Sequence, residues 1–360
     1  MNVLIVGGGI AGLSLATALA QQGIDAEVVE REPEWTTVGA GITLYPNGMR
    51  ALGALGLAGD VERAGFPVET VRTLTADGSL LSEFPGEEWP GVGRTLAVHR
   101  IPLQQVLLDA VGDAPVRLGV TVQTITAVEN GVDVVLSDGT RARYDLVVGA
   151  DGIRSRVRGM CFDASPPRYV GQTYWRTSVD AEIVDTATMM FADGRYVALL
   201  PLGGGKTFAA MQLQCAEPFS LPSNEIVRTV RERFSDFRGP AADALALLDA
   251  DEVHFGPVDE IERDQWRSGR AVLVGDAAHA CSPTLAQGGS LAFEDALVLA
   301  ELLAAIDDTD AALDMFVARR EPRARWVRER TRLHIEVLND GAPELGAMLR
   351  ETFDYLAQPI

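Results

Sequence analysis

Gly7, Gly9 and Gly12, with the carboxylate of Glu30 eighteen residues further on, are the residues of this 360-residue chain whose types and spacing speak most directly of chemistry. They follow the β-branched run Asn2–Val6 and open a helical pattern carried by Ile10, Leu13, Leu15, Ala18 and Leu19, which Gly23 closes; a second strand runs from Ala26 to Glu30. This is GxGxxG inside a βαβ unit. Gly7 allows the tight turn, Gly9 lets backbone approach a pyrophosphate, and Gly12 lets helix and strand pack closely. The helix start, at Ile10 and Ala11, presents free N–H groups and a positive dipole end to phosphates. Glu30 is placed to accept from ribose hydroxyls and to repel a 2′-phosphate, which favours FAD or NAD over NADP. Arg31 beside it is a candidate for the adenosine or its phosphates. The competing reading, a glycine-rich turn in some other α/β protein, has to explain strand, helix and acid all in register.

A second glycine–acid turn stands at the far end of the chain. Arg270–Val274 reads as a strand leading into Gly275-Asp276-Ala277-Ala278-His279, with Pro283 and Gln287-Gly288-Gly289 before another helix. An NAD-dependent dehydrogenase has no need of it. A dinucleotide that continues past its pyrophosphate into a ribityl chain and a large ring does: Asp276 is placed to accept from ribityl hydroxyls, Gly288 and Gly289 to offer N–H groups to the ring edge.

With a third segment, Asp151-Gly152-Ile153-Arg154-Ser155 after Asp145–Ala150, the chain resembles the class A flavoprotein monooxygenases, the family of p-hydroxybenzoate hydroxylase and salicylate hydroxylase. The three fingerprints are Gly7–Gly12, Asp151-Gly152 and Gly275-Asp276, and the resemblance covers almost the whole chain. It implies that Arg100, at the start of a helix, approaches the flavin, and it makes Gly41, Val122, Asp151 and Gln287 further cofactor candidates. One departure is Ala286, where the family usually carries glycine; alanine disfavours positive φ. The resemblance implies FAD as cofactor, NAD(P)H and O2 as co-substrates, and hydroxylation of a small aromatic or heteroaromatic ring through a flavin hydroperoxide, with no separate nicotinamide domain. Epoxidation of a polyketide or quinolone and a non-catalytic flavin-binding carrier are the alternatives. Halogenation is disfavoured, because Trp175 lacks the partner of the halogenase Trp-x-Trp-x-Ile-Pro motif and lysines are few.

By the same analogy the central sheet covers the flavin, making Ile42, Tyr174, Trp175, Arg176, Tyr196, Met211 and Pro283 the pocket candidates; ordinary sheet core is the other reading of each aromatic. Alternation puts Tyr196, Ala198 and Leu200 on one face of their strand and Arg195, Val197 and Leu199 on the other. No general base is assigned. His279 reads as a turn-stabilising residue, His99 as the cap of the Arg100 helix, His254 and His334 as structural. Arg154, Arg156 and Arg158 form a basic run, either a solvated helix face or a dock for nicotinamide phosphates.

The elements required to position these residues define an α/β fold: a Rossmann-type FAD-binding domain with an inserted, mainly antiparallel β-sheet substrate domain and C-terminal helices. The expected division is 1–70, 99–166 and 263–310 for FAD binding, 71–98 and 167–262 for the substrate domain, and 311–360 for the terminal helices. Helices are predicted over Pro46–Leu57, Arg100–Val111, Asn224–Phe234, Ala241–Asp249, Leu291–Ile306 and Ala311–Val337, the last with a break near Pro322. Strands are predicted over Thr121–Val128, Val132–Leu136 and Leu146–Ala150, with a turn at Asp138-Gly139, and over Gln172–Val179, Thr188–Phe191, Arg195–Leu200 and Thr207–Leu213.

The net charge of −20 disfavours nucleic acid and anionic membrane as partners. Three scattered cysteines give neither a disulfide framework nor a metal site and fit a reducing cytoplasm. No apolar run is long enough to span a membrane, and Val3–Val6 lacks the basic flank of a signal peptide. A monomer or homodimer is expected.

Overall fold

The computed structural model of this chain describes residues 1–35, 41–162, 165–339 and 345–360. Its centre is a six-stranded sheet in the order 116–118, 25–30, 2–6, 146–149, 271–273 and 267–268. Asn2–Val6 pairs in parallel with both Asp25–Glu30 and Leu146–Gly149, and Leu146–Gly149 pairs in parallel with Ala271–Leu273. Val3–Val6 and Leu146–Gly149 are buried along their whole length, as expected of strands covered on both faces. Strands from the first residues, the middle and the last third of the chain are therefore immediate neighbours.

Ile10–Gln21 and Gly288–Ala305 pack together on this sheet, helped by small residues at their contact. The fit is tight at two points. A Cβ on Gly12 would lie 1.9 Å from the Gly7 carbonyl oxygen, and one on Gly275 would lie 2.8 Å from the Ala11 Cβ. The first obstruction is backbone, which cannot rotate away.

The second large sheet has seven strands, in the order 254–260, 168–179, 206–214, 195–203, 187–192, 70–75 and 80–85. It is antiparallel except where Ala187–Ala192 runs parallel to Thr70–Thr75. One face packs on the helices Ser223–Arg233 and Pro240–Ala246. The other faces a small sheet of 41–44, 96–99 and 65–67 and the turn 282–289. The segment 71–98 thus divides among three sheets, since Glu88–Trp89 and Gly93–Arg94 pair with each other as a separate two-stranded one.

Several elements differ from the sequence reading: the helix expected over Ala241–Asp249 spans Pro240–Ala246, and the strand expected from Gln172 begins at Arg168. The helix expected over Pro46–Leu57 ends at Ala54, two residues before Gly56 at φ +77°, and a new helix runs over Ala58–Ala64. The helix expected from Leu291 begins at Gly288. The helix Thr309–Asn339 continues through Pro322. A proline there forfeits a hydrogen bond and crowds the preceding turn, but Arg320 and Arg323, on either side of it, are each held by buried carboxylates of the Gly288–Ala305 helix. Tertiary charge pairing holds both flanks in place. Among the described residues no helix is long and apolar enough to cross a membrane.

Because the obstruction at Gly12 is main chain, Gly12→Ala should lower stability by about 1–3 kcal/mol. A denaturant melt of the purified variant measures this; an unchanged midpoint would show that helix and strand can separate freely.

Candidate functional site

The two glycine turns meet. Gly275 abuts Ala11, and a Cβ on Gly289 would lie 2.9 Å from Ile42 Cδ1 and 4.0 Å from Ile10 Cδ1. The start of the Gly288–Ala305 helix, the start of the Ile10–Gln21 helix and the strand Gly41–Leu44 therefore share one place. A cleft opens beside it, lined by Gly8, Gly9, Ile10, Glu30, Trp35, Arg100 and Gln104 among others.

The residues at this cleft fit an extended dinucleotide. No protein atom lies within 4 Å of a Cβ built on Gly9, so the space above that backbone is open. By helix geometry the N–H groups of Ile10, Ala11 and Gly12 have no intrahelical partner; the first helical bond is Leu13 N–H to the Gly9 carbonyl, 3.0 Å. The Glu30 carboxylate accepts from Gly8 N–H at 2.7 Å and Glu32 N–H at 3.0 Å, which fixes it at the cleft wall with lone pairs left for hydroxyl donors. Along Ala271–Ala280 every residue is buried except Asp276, whose Oδ1 lies 3.6 Å from a Cβ position on Gly288. An exposed carboxylate beside a helix start, on an otherwise buried turn, is free to take hydroxyl donors.

What holds the second turn is a buried charge cluster. Asp295 Oδ2 accepts from Gly275 N–H at 2.9 Å and meets His279 Nε2 at 2.7 Å, while its Oδ1 accepts from Arg320 Nε at 2.8 Å. Glu294 is bound by Arg320 at 2.9 Å and by Arg323 through two contacts of 2.8 Å. Burial alone would raise the pKa of Asp295, but His279 and Arg320 beside it bring it below the ordinary carboxylate value. His279 is thus the turn-stabilising residue expected. His99 caps the Arg100–Val111 helix, its Nδ1 accepting from Ile101 N–H at 3.3 Å.

The roof is the inner face of the seven-stranded sheet. Tyr174 and Tyr196 are hydrogen-bonded to each other through their hydroxyls and packed edge to face, with ring centroids 5.9 Å apart. Burial raises the pKa of both, so both are neutral phenols. Thr284, next to Pro283 in a 3₁₀ turn, reaches Tyr174, and Ser282 Oγ donates to Gln172 Oε1 at 2.7 Å, which ties the roof to the second glycine turn. Arg176 projects from the same face as Tyr174, within electrostatic reach of Tyr174, Arg100, Tyr196 and Asp276. Tyr45, half-buried and with its pKa raised to about 12 by desolvation and by Glu87, lies near Tyr196.

Several expected site residues lie elsewhere or act differently. Trp175 and Met211 are fully buried on the opposite face of the sheet. Trp175 packs on Phe255 and Phe234, with centroids 5.0 and 6.1 Å away. Neighbours in a strand point oppositely, so Tyr174 and Arg176 facing the roof cavity force Trp175 away from it. The Asp151 carboxylate is occupied within the protein, accepting from Ser155 Oγ at 2.5 Å, Arg156 N–H at 2.6 Å and Val157 N–H at 3.2 Å. Arg158 is buried, its guanidinium donating to the carbonyls of Ala277 at 2.9 Å and Ile153 at 2.5 Å; it braces the second glycine turn. Only Arg154 and Arg156 of that basic run are exposed. The Gln287 side chain turns inward to Asn47 at 2.9 Å, and Val122 is wholly buried, leaving each only its backbone to offer. Arg31 pairs with Glu32 on the surface and is not part of the cleft wall.

Ala286 adopts the left-handed conformation, φ +49° and ψ 34°. The turn keeps the geometry that suits glycine and bears the strain of a methyl group. Trp35 and Tyr45 were not anticipated. Trp35 lies 2.8 Å from a Cβ position on Gly8, but its place in a polar loop without periodicity gave no signal.

Comparison with known proteins agrees with this geometry. Residues 1–331 match the family described as FAD binding domain. The chain is 36% identical over 330 residues to aurachin C monooxygenase/isomerase of Stigmatella aurantiaca, covering 90% of this chain and 86% of that protein. It is 33% identical over 339 residues to 2-heptyl-3-hydroxy-4(1H)-quinolone synthase of Pseudomonas aeruginosa, covering 92% and 88%. The crystal structure of Klebsiella pneumoniae HpxO complexed with FAD and uric acid superposes with a TM-score of 0.87 at 28% identity, over 99% of this chain and 92% of that one.

Two substitutions separate binding from folding. Gly9→Ala places a methyl in open space, so the melting midpoint of the cofactor-free protein should not move while FAD affinity, read by fluorescence titration, falls at least tenfold. Ala286→Gly relieves left-handed strain of about 1–2 kcal/mol against about 0.4–1 kcal/mol of added unfolded-chain entropy. A net gain of about 0.5–1 kcal/mol in a denaturant melt is expected.

Proposed function

The chain belongs to the class A FAD-dependent aromatic hydroxylases and is an FAD-dependent monooxygenase; from that membership we propose that it hydroxylates a small aromatic or heteroaromatic ring with NAD(P)H and O2. The stoichiometry is one reduced nicotinamide, one O2, one proton and one ring C–H in, and one oxidised nicotinamide, one water and one ring C–OH out. Bound FAD supplies the redox chemistry, accepting electrons from the nicotinamide and delivering them to oxygen.

The protein's part is placement. The starts of the Ile10–Gln21 and Gly288–Ala305 helices, with Gly9, Glu30 and Asp276, hold the cofactor from phosphates to ring edge. The inner sheet face carrying Tyr174, Arg176 and Tyr196, with Ile42 and Pro283 at its margin, forms the substrate side and keeps bulk water from the reacting ring. The observation that carries this reading is the meeting of two distant glycine turns directly beneath a face bearing phenols and a guanidinium. Tyr174 and Tyr196 are neutral and share one hydrogen bond, and the pair can accept the proton of a ring hydroxyl in a hydrogen bond, which makes the ring carbon beside that hydroxyl more electron-rich. Exposed Arg154 is the candidate dock for nicotinamide phosphates.

Anaerobic reduction of the purified flavoprotein by NADPH or NADH, screened over phenols, N-heterocycles and quinolones, tests the reading. At least one compound should accelerate reduction tenfold or more and yield a product one oxygen heavier. A protein that takes up no FAD, or oxidises neither nicotinamide with any ring compound, would sink it. Arg154→Ala should raise the nicotinamide KM several-fold with kcat little changed; an unmoved KM removes Arg154 from that role.

A further inference from the structure

The register of the seven-stranded sheet orders its inner face into rows. Tyr174, Gln212 and Tyr196 stand directly opposite one another on adjacent strands, so their side chains share one row. The next row, two residues along, is Arg176, Ala210 and Ala198, and the one beyond holds Phe208 opposite Leu200. Between two bulky rows the middle one carries methyl groups at Ala210 and Ala198, with Arg176 and then His254 on one side of them and Met189 on the other.

Two observations show that this row is built for something the protein does not itself supply. Among the described residues the Arg176 guanidinium has no hydrogen-bond or ion-pair partner, and it is accessible to solvent. Its surroundings, Tyr174, Tyr196 and Asp276 with a second guanidinium at Arg100, place this exposed side chain over the meeting of the two glycine turns, and desolvation there lowers its pKa. Gln212 is 4% exposed and its Nε2 has no partner. A buried amide N–H without an acceptor costs about 1–3 kcal/mol, and retaining one in the row beside an unpaired guanidinium points to a ligand that accepts from both. The nearby carboxylate, Asp276, stands at the helix start assigned above to the cofactor.

We propose that Arg176 and Gln212 are the specificity-determining pair of this pocket. A planar ring lies along the Ala198–Ala210 row, presenting an acidic oxygen (a carboxylate, or an ionised enol or phenol) to Arg176 and a neutral acceptor to Gln212. The alanines set the thickness of ring admitted. Arg176 sets the charge, since a guanidinium pairs with an anionic oxygen in planar, two-pronged fashion. A protein of net charge −20 that accepts an anionic substrate needs such a local cation. This inference rests on the hydroxylase reading above.

The test uses the FAD-loaded enzyme and the change in flavin absorbance on titration with 4-hydroxyquinoline-2-carboxylate and 3-hydroxybenzoate, each against its methyl ester. The free acids should bind at least tenfold more tightly than their esters. Arg176→Gln should reduce that preference to about twofold or less, and Arg176→Lys should restore part of it. Gln212→Leu should weaken acid and ester alike, and Ala210→Leu should abolish binding of both while the flavin spectrum persists. Equal binding of acid and ester, no spectral response to either acid, or an Arg176→Gln variant that keeps the preference would overturn the proposal. So would an Arg176→Gln variant whose only change is weaker FAD binding or a shifted flavin potential, since Arg176 would then serve the cofactor. Failure of the wild-type chain to hold FAD would instead count against the hydroxylase reading itself.

Discussion

Two carboxylates wholly withdrawn from water, on consecutive residues of one helix, set the geometry on which the site depends. Arg320, Arg323 and His279 surround Glu294 and Asp295, and one of the Asp295 oxygens accepts from the backbone N–H of Gly275. Such a cluster contributes little net stability, since desolvation offsets most of the attraction, and each carboxylate keeps a second cation when one is lost; stripping a carboxylate of both would leave a buried charge unpaired at a cost of about 3–5 kcal/mol. Its value is positional. It fixes the Gly275-Asp276 turn against Ala11, points the Gly288–Ala305 helix at the place where the first glycine turn ends, and clamps the long terminal helix across its proline.

Much of this was legible before any coordinates. Gly7, Gly12 and Gly275 could be read because each answers a backbone demand that only glycine meets, so residue type alone carries the message. The four inner strands of the central sheet were legible because an unbroken apolar, β-branched run has few other uses, whereas the short edge strands Val116–Leu118 and Arg267–Ser268 carry no such run and were not read. Side-chain assignments fared unevenly. Trp175 and Met211 read as pocket residues on their chemistry, yet their direction is set by the parity of their strands relative to Tyr174 and Arg176. Asp151, Arg158 and Gln287 lie inside the right motifs but spend their polar atoms on the protein's own backbone and side chains. Which acceptor a side chain finds is a property of the folded neighbourhood, as is the ion cluster, whose members lie far apart in the sequence.

The charge distribution divides sharply between outside and inside. The chain as a whole is strongly acidic, whereas the cavity between the two sheets is approached by Arg100 and Arg176 with Asp276 as the nearby acid. Fixed geometry in a recess makes a few local cations count for more there than many dispersed surface anions. The outer surface favours solubility and discourages polyanions, while the interior remains hospitable to small ones.

The strand order has a consequence for how the molecule is made. Leu146–Gly149 lies between Asn2–Val6 and Ala271–Leu273, and the arginines that secure the second turn come later still, at 320 and 323. On the ribosome the first βαβ unit emerges early and can form locally, but its partner turn does not yet exist. Completion of the cleft must wait until Arg320 and Arg323 have been synthesised, so cofactor capture follows the emergence of that helix, and a transcript cut short before it yields a half-site with nothing to close it.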